Sequence, residues 1–261
     1  VKRVLVISYY WPPGGGGGVQ RWLKFTKYLP ENGWQPVVYT PSGSEQAEND
    51  TSLEKDIQAE VEVIRQPIWE PYEWYKTFVG GSKKEKINTG FISEKKKPSR
   101  LESVAVWIRG NFFIPDARKF WIKPSIKFLE AYLSENPVDL IISTGPPHSM
   151  HMIALGLKRK LGLKWIADFR DPWTGIDFYE DLKLTAGSDK KHQRMEKEVL
   201  SAADVVLTIG QKMGDEFAAL GANKVVFIPN GFDGQDFASA APQVDQEFTL
   251  SHIGSMTRTR N

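Results

Sequence analysis

Val4-Leu5-Val6-Ile7-Ser8, then Tyr9-Tyr10-Trp11-Pro12-Pro13, then Gly14 through Gly18, then Val19-Gln20-Arg21 form the stretch on which the fold turns. A short unbroken apolar run, a Pro/Gly turn and the opening of an amphipathic helix make one strand–helix unit. The unit recurs along the chain. Apolar runs stand at Val4–Ser8, Pro36–Thr40, Val61–Arg65, Val138–Ser143, Lys164–Asp168, Val205–Ile209 and Val225–Ile228. Most are continuous Val/Ile/Leu segments, the pattern of strands covered on both faces. Helical patterns at Val19–Glu31, Pro147–Lys160, Asp189–Ala202 and Lys212–Leu220 alternate with them. This predicts an α/β fold, an open, mostly parallel sheet with helices on both faces and right-handed crossovers.

Two regions interrupt that rhythm. About residues 66–124 form an insertion that holds Trp69, Trp74, Trp107 and Trp121, with a helix expected at Leu101–Phe112. Within it, Ser82–Lys127 carries twelve Lys/Arg against four Asp/Glu, while the whole chain is only +2. The rest is therefore acidic, and the basic part is expected at a surface facing an anionic partner. The second interruption follows Asp233. Residues 1–233 read as one domain, 234–247 as a linker, and 248–261 as the start of a second domain, with Phe248–Ile253 as its first strand.

Composition narrows the function classes. At 261 residues and 41% hydrophobic the chain can bury a full core, and with no cysteine it has no disulfides, thiolate metal sites or Cys nucleophile. No run approaches ~18 apolar residues, and the N-terminal apolar run is too short for a signal peptide. A cytoplasmic protein is expected.

Three strand ends carry chemistry. The glycine run could be a flexible turn, but five successive glycines carry a conformational-entropy cost that turning does not require. A loop approached closely by phosphate or sugar explains them better, with Gly16, Gly17 and Gly18 at the helix start. The dinucleotide pattern G-x-G-x-x-G fails, because its last glycine falls on Val19, and Tyr39-Thr40-Pro41-Ser42 lacks the expected ribose-binding acid. The second end is Ser143-Thr144-Gly145-Pro146-Pro147-His148-Ser149-Met150-His151. Helix-start chemistry accounts for Pro147 and for Ser149 as a cap, but not for His148 at the mouth of the sheet. His151 reads as a packing histidine. The third is Ala167-Asp168-Phe169-Arg170-Asp171-Pro172-Trp173, followed further on by the turn Ile228-Pro229-Asn230-Gly231-Phe232-Asp233. Its bland reading is an Arg170 ion pair closing the sheet, with Asp168 a structural anchor. Its functional reading has Asp171 accepting hydrogen bonds from hydroxyls and Arg170 facing phosphate. The acids are not spaced as an Asp-x-Asp metal grip, so no metal is expected.

In their order, these motifs resemble the amino-terminal half of a family 4 glycosyltransferase, within the bacterial group that builds polysaccharides and lipid-linked glycans. The resemblance covers essentially the whole chain. It implies the GT-B architecture, in which two Rossmann-like lobes face each other across a cleft. This lobe would serve the acceptor, and a second lobe, barely begun at Phe248–Asn261, would hold the donor. The implied reaction moves a sugar from a nucleotide-sugar to an acceptor hydroxyl with retention, with no further cofactor. The resemblance places Gly16, Gly17 and Gly18 near the diphosphate and Arg170 on phosphate. His148 and Asp171 then orient the acceptor hydroxyl. It also implies no turnover by this lobe alone.

Two other classes stay open: a dinucleotide-dependent oxidoreductase domain and a non-catalytic sugar- or lipid-binding module. The insertion adds an expected partner. Lys83, Lys84, Lys86 and Lys95–Lys97, with Trp107, Phe112, Phe113, Phe120 and Trp121 interleaved with cations, suit an anionic membrane surface. Trp121 and Phe128 share a helical face and belong to the core. No nucleic-acid motif accompanies these charges.

Overall fold

The computed structural model describes residues 1–44, 49–71, 100–237 and 247–252. Seven strands form one sheet: β1 Lys2–Ile7, β2 Trp34–Ser42, β3 Glu62–Pro67, β4 Leu140–Gly145, β5 Lys164–Phe169, β6 Val205–Thr208 and β7 Val225–Phe227. The order is β3-β2-β1-β4-β5-β6-β7 and every neighbouring pair is parallel. Each of the seven strands read within residues 1–233 is present, with ends shifted by up to two residues. The chain reverses direction across the sheet between β1 and β4, the switch point where open α/β sheets bind ligands.

The helices are α1 Gly17–Tyr28, α2 Arg100–Phe112, α3 Lys119–Glu135, α4 Ser149–Leu161, α5 Ala186–Ala202 and α6 Gln211–Ala219. Period-2 side-chain alternation splits each strand between two cores. Val4, Val6, Val38 and Ile142 meet Val19, Trp22 and Leu23 of α1 on one face. Leu5, Ile7, Val37, Tyr39 and Ile141 meet α3, α4, α5 and α6 on the other. Two buried faces explain the unbroken apolar runs.

Three expectations change. The insertion is trimmed at both ends: Gln66 and Pro67 pair with Pro41 and Ser42 in the sheet, and α3 begins at Lys119. The helical face shared by Trp121 and Phe128 was read from the sequence, but not the extent of this helix, which holds Pro124 inside it. It forms because its apolar face is well covered, with Tyr39 stacked on Trp121 at 4.9 Å and on Phe128 at 6.0 Å. Second, the strand expected at Phe248–Ile253 is not formed over Phe248–His252, and Phe248 is 96% exposed. A strand needs a paired neighbour, and none lies beside it among the described residues. Third, the segment after Asp233 does not leave the domain at once. Gly234–Phe237 forms a short turn, and the buried Asp233 accepts from Lys24 Nζ (3.0 Å), Lys27 Nζ (2.7 Å) and the Tyr28 hydroxyl (2.7 Å) of α1. These donors hold its carboxyl below the ordinary value of 3.8. The lysine-rich stretch 83–97 lies outside the described residues.

Candidate functional site at the switch point

The glycine run is only partly a loop. Gly16 is the N-cap of α1 with φ 89°, a conformation open to glycine, while Gly17 and Gly18 already form the first helical turn. The helix thus starts two residues earlier than Val19. No side chain caps it and no acid stands in its first turn, so its leading N–H groups and the positive end of its dipole are uncompensated.

Arg170, just beyond β5, is brought against that end. A Cβ on Gly18 would lie 2.7 Å from Arg170 Nη1 and 3.1 Å from the Tyr10 ring, which is why position 18 has no side chain. Arg170 Nη2 donates to the Pro146 carbonyl, and the guanidinium lies 5.5 Å from the centre of the Tyr10 ring. Its buried Nε has no hydrogen-bond partner, and no described carboxylate forms an ion pair with it. Burial pulls its pKa below the ordinary guanidinium value, yet a guanidinium remains charged at neutral pH. Asp171, half-buried beside it, accepts no hydrogen bond from a described residue. The ion pair that would have made Arg170 a mere closure is absent among the described residues.

Asp168 behaves in the opposite way. Wholly buried on β5, it accepts from Arg21 Nη2 (3.0 Å), Trp22 Nε1 (2.7 Å) and Thr144 Oγ1 (2.8 Å). Arg21 also donates to the carbonyls of Ile228 (3.1 Å) and Pro229 (3.2 Å) and to Asn230 Oδ1 (3.2 Å). This pair ties α1, β4, β5 and the turn after β7 into one rim. Arg21 was quoted in the sequence without a role. The signal for it was present: a cation near a helix N-terminus opposes the dipole and, when buried, needs a carboxylate partner.

His148 is the N-cap of α4 but offers no side-chain cap. The cap comes from Asp116, which accepts from Ser149 N and Ser149 Oγ, each at 2.8 Å, so Ser149 is capped rather than capping. His148 stands at the mouth of the sheet as expected, yet Trp173 covers it, ring parallel to ring at 4.5 Å. Trp173 is held by its indole N–H on His192 Nδ1 at 3.0 Å. Burial, with His151, His192 and Arg170 nearby, holds the His148 pKa well below 6.5, so the ring is neutral. His151 is fully buried as expected, its pKa pushed down to about 3 by burial and Arg170. The Trp165 indole can only donate, and it donates to Ser143 Oγ (2.9 Å), leaving the Ser143 proton for His151 Nδ1 at 2.8 Å. Gly145 must be glycine here, because a Cβ would lie 2.5 Å from His151 Nε2.

The structure therefore gathers Gly16, Gly17, Gly18, Arg170 and His148 with Asp171 along the ends of β1, β4 and β5. Tyr10, Arg21, Asp116, Trp173 and His192 are the members that sequence reading missed. Among the described residues no three His, Asp or Glu side chains are placed to hold a metal ion, and no helix is long and apolar enough to cross a membrane.

A seven-stranded parallel sheet with a glycine-led helix at its switch point defines a Rossmann-like α/β lobe. The chain belongs to the glycosyl transferase 4-like domain family, whose model matches residues 16–231. Among solved structures it resembles a sucrose-phosphate synthase from Thermosynechococcus elongatus, with TM-score 0.53 and 14% identity over 90% of this chain and 49% of that one. A glycosyltransferase from Rickettsia africae is similar at TM-score 0.48 and 12% identity, over 93% of this chain and 46% of that one. UGT2 from Phytolacca americana matches at TM-score 0.49 and 10% identity, over 96% of this chain and 59% of that one. The chain spans about half the length of these structures. No curated protein matches its sequence.

Proposed function

We propose that this domain is the acceptor-side lobe of a retaining glycosyltransferase that moves a sugar from a nucleotide-sugar to a hydroxyl of a sugar or lipid-linked acceptor, in polysaccharide or glycolipid synthesis. One observation carries the reading: the Arg170 guanidinium, without a carboxylate, stands against Gly18 at the uncapped start of α1. A cation and a helix N-terminus aimed at one point suit a diphosphate, whose charge grows as the sugar leaves. In the reaction, the acceptor oxygen bonds to the anomeric carbon while the bond from that carbon to the phosphate oxygen breaks. The hydroxyl proton passes to the departing phosphate. The lobe need only position the acceptor and stabilise charge.

In this reading Gly16, Gly17, Gly18 and Arg170 face the diphosphate, and Asp171 accepts from the acceptor hydroxyl. Neutral His148, clamped by Trp173, supplies a fixed ring beside it. No resident metal is needed in this reading, and the buried Asp168 is saturated by Arg21, Trp22 and Thr144. The setting is cytoplasmic, at an anionic membrane face.

The test is binding of UDP and GDP to the 261-residue chain, followed by phosphorus NMR, for wild type and Arg170→Gln. Weak binding that the variant loses is expected, with no sugar transfer by the chain alone. Equal binding by both proteins counts against the anion site. Micromolar affinity with turnover by the chain alone counts against the division between two lobes.

A further inference from the structure

Where the end of β3 meets α2 and α3, the described surface carries an apolar rim that the reaction does not use. Trp69 is 59% exposed, Phe112 58% and Phe120 43%. They are not scattered singly. Trp69 packs edge-on to Phe120 at 5.0 Å, Phe113 to Phe120 at 6.1 Å, and Trp107 to Phe112 at 5.7 Å. A contiguous exposed aromatic cluster marks a binding surface rather than ordinary exposure.

Lys119 decides what the surface binds. Its Nζ donates to the Phe112 carbonyl and lies 4.9 Å from the centre of the Phe120 ring and 5.4 Å from that of Phe113. Burial, reinforced by Lys191, disfavours its charge, and no described carboxylate forms an ion pair with it. Lys123 and Lys127 follow, exposed, along α3. The acids at hand are already engaged: Asp116 caps α4, and Glu70 is held by Arg118 Nε at 2.9 Å. Glu180 and Asp181 lie on the turn that packs under Gly110 of α2.

We infer that this rim, with Trp69, Phe112 and Phe120 as its apolar contact and Lys119, Lys123 and Lys127 as its charge, docks the lobe on an anionic phospholipid surface. Aromatic rings settle at headgroup depth, and an ammonium lacking a carboxylate is matched by a lipid phosphate. This rests on the membrane-face setting of the proposed function and gives it a surface, while its observations are separate from those that carry the reaction. It also moves the expected membrane contact from the lysine-rich stretch 83–97 to described residues.

The test is sedimentation of the 261-residue chain with phosphatidylcholine vesicles, with and without phosphatidylglycerol, at low and high salt. The variants are Phe112→Ser with Phe120→Ser, Lys123→Gln with Lys127→Gln, and the control Leu220→Ser, an exposed residue after α6. Circular dichroism first confirms that each folds. Wild type is expected to sediment with anionic vesicles only and to be released by salt. The ring variant should lose on the order of tenfold in partitioning, the lysine variant several-fold, and the control nothing. Equal binding to neutral and anionic vesicles, or none to either, overturns the inference. So does unchanged binding by the ring variant. Sedimentation velocity showing a dimer that the ring variant dissolves would assign the rim to a second copy and overturn it as well. None of these readouts involves sugar transfer, so their failure is separate from failure of the proposed reaction.

Discussion

Arg21 and Arg170 both reach the end of β5, beside aspartates two residues from one another's partners, and are treated differently by the fold. Arg21 engages every N–H it has, on Asp168, Asn230 and the carbonyls of Ile228 and Pro229. The Arg170 side chain makes one hydrogen bond among the described residues, to the Pro146 carbonyl, and Asp171 beside it makes none through its carboxylate. Burying a charge is tolerated where its partners are complete. An incomplete charge at a ligand-binding edge marks a place that a ligand completes. The saturated pair builds the rim, and in the proposed function the unsaturated neighbours face what binds there.

The largest effect is expected from breaking the saturated pair. Asp168→Ala leaves the Arg21 guanidinium buried without its carboxylate, at a cost of about 3–5 kcal/mol. Urea denaturation checks this, and a cost below about 1 kcal/mol would erase the contrast between the two arginines.

A second effect comes from acid. His148, His151 and His192 are held neutral by burial, all with pKa values below the ordinary 6.5. The unfolded chain binds protons at these histidines between pH 6.5 and the lower folded values, while the folded chain does not. Stability is therefore fully present above about pH 6.5 and falls below it, by about 1.4 kcal/mol per pH unit for each histidine. Glu196 opposes this, because burial pushes its carboxyl up. Denaturation midpoints between pH 7 and 5 test the trend, and His151→Phe should flatten it.

Arg170→Gln sharpens the comparison from the other side. It should change stability by less than about 1 kcal/mol while UDP binding falls on the order of tenfold or more. A loss of stability as large as that of Asp168→Ala would place Arg170 in the frame rather than at the ligand.

The smallest effects belong to two neighbouring glycines. Gly18→Ala puts a Cβ 2.7 Å from Arg170 Nη1, whereas nothing lies within 4 Å of a Cβ on Gly17. The first should weaken UDP binding as Arg170→Gln does, with little change in melting temperature. The second should leave both nearly unchanged. Titration of the two variants side by side reads the difference, and equal behaviour would mean that the close approach at Gly18 carries no function.

Much of this was legible before any coordinates. All seven strands lay in the apolar runs, and the order of the glycine, His148 and Arg170 segments placed them at strand ends. The extent of helix α3 escaped because Pro124 breaks the local pattern, and only Tyr39 and the rest of the core explain why the helix forms there. The cap of α4 escaped because Asp116 is 33 residues from Ser149, beyond any local capping signature.

By itself the sequence determined the α/β alternation, the depth of burial of each strand and which loops meet at the switch point. Those follow from hydrophobic period and turn chemistry, which act over a few neighbouring residues. Only the tertiary structure decided which charges are complete. Arg21 meets Asp168 across 147 residues, Trp173 closes over His148, and Lys119 is left among aromatic rings without an acid. The type of a residue states what bonds it can make, but whether its partners arrive depends on how distant strands are ordered. In this lobe that ordering separates the arginine that holds the fold from the one proposed to face the ligand.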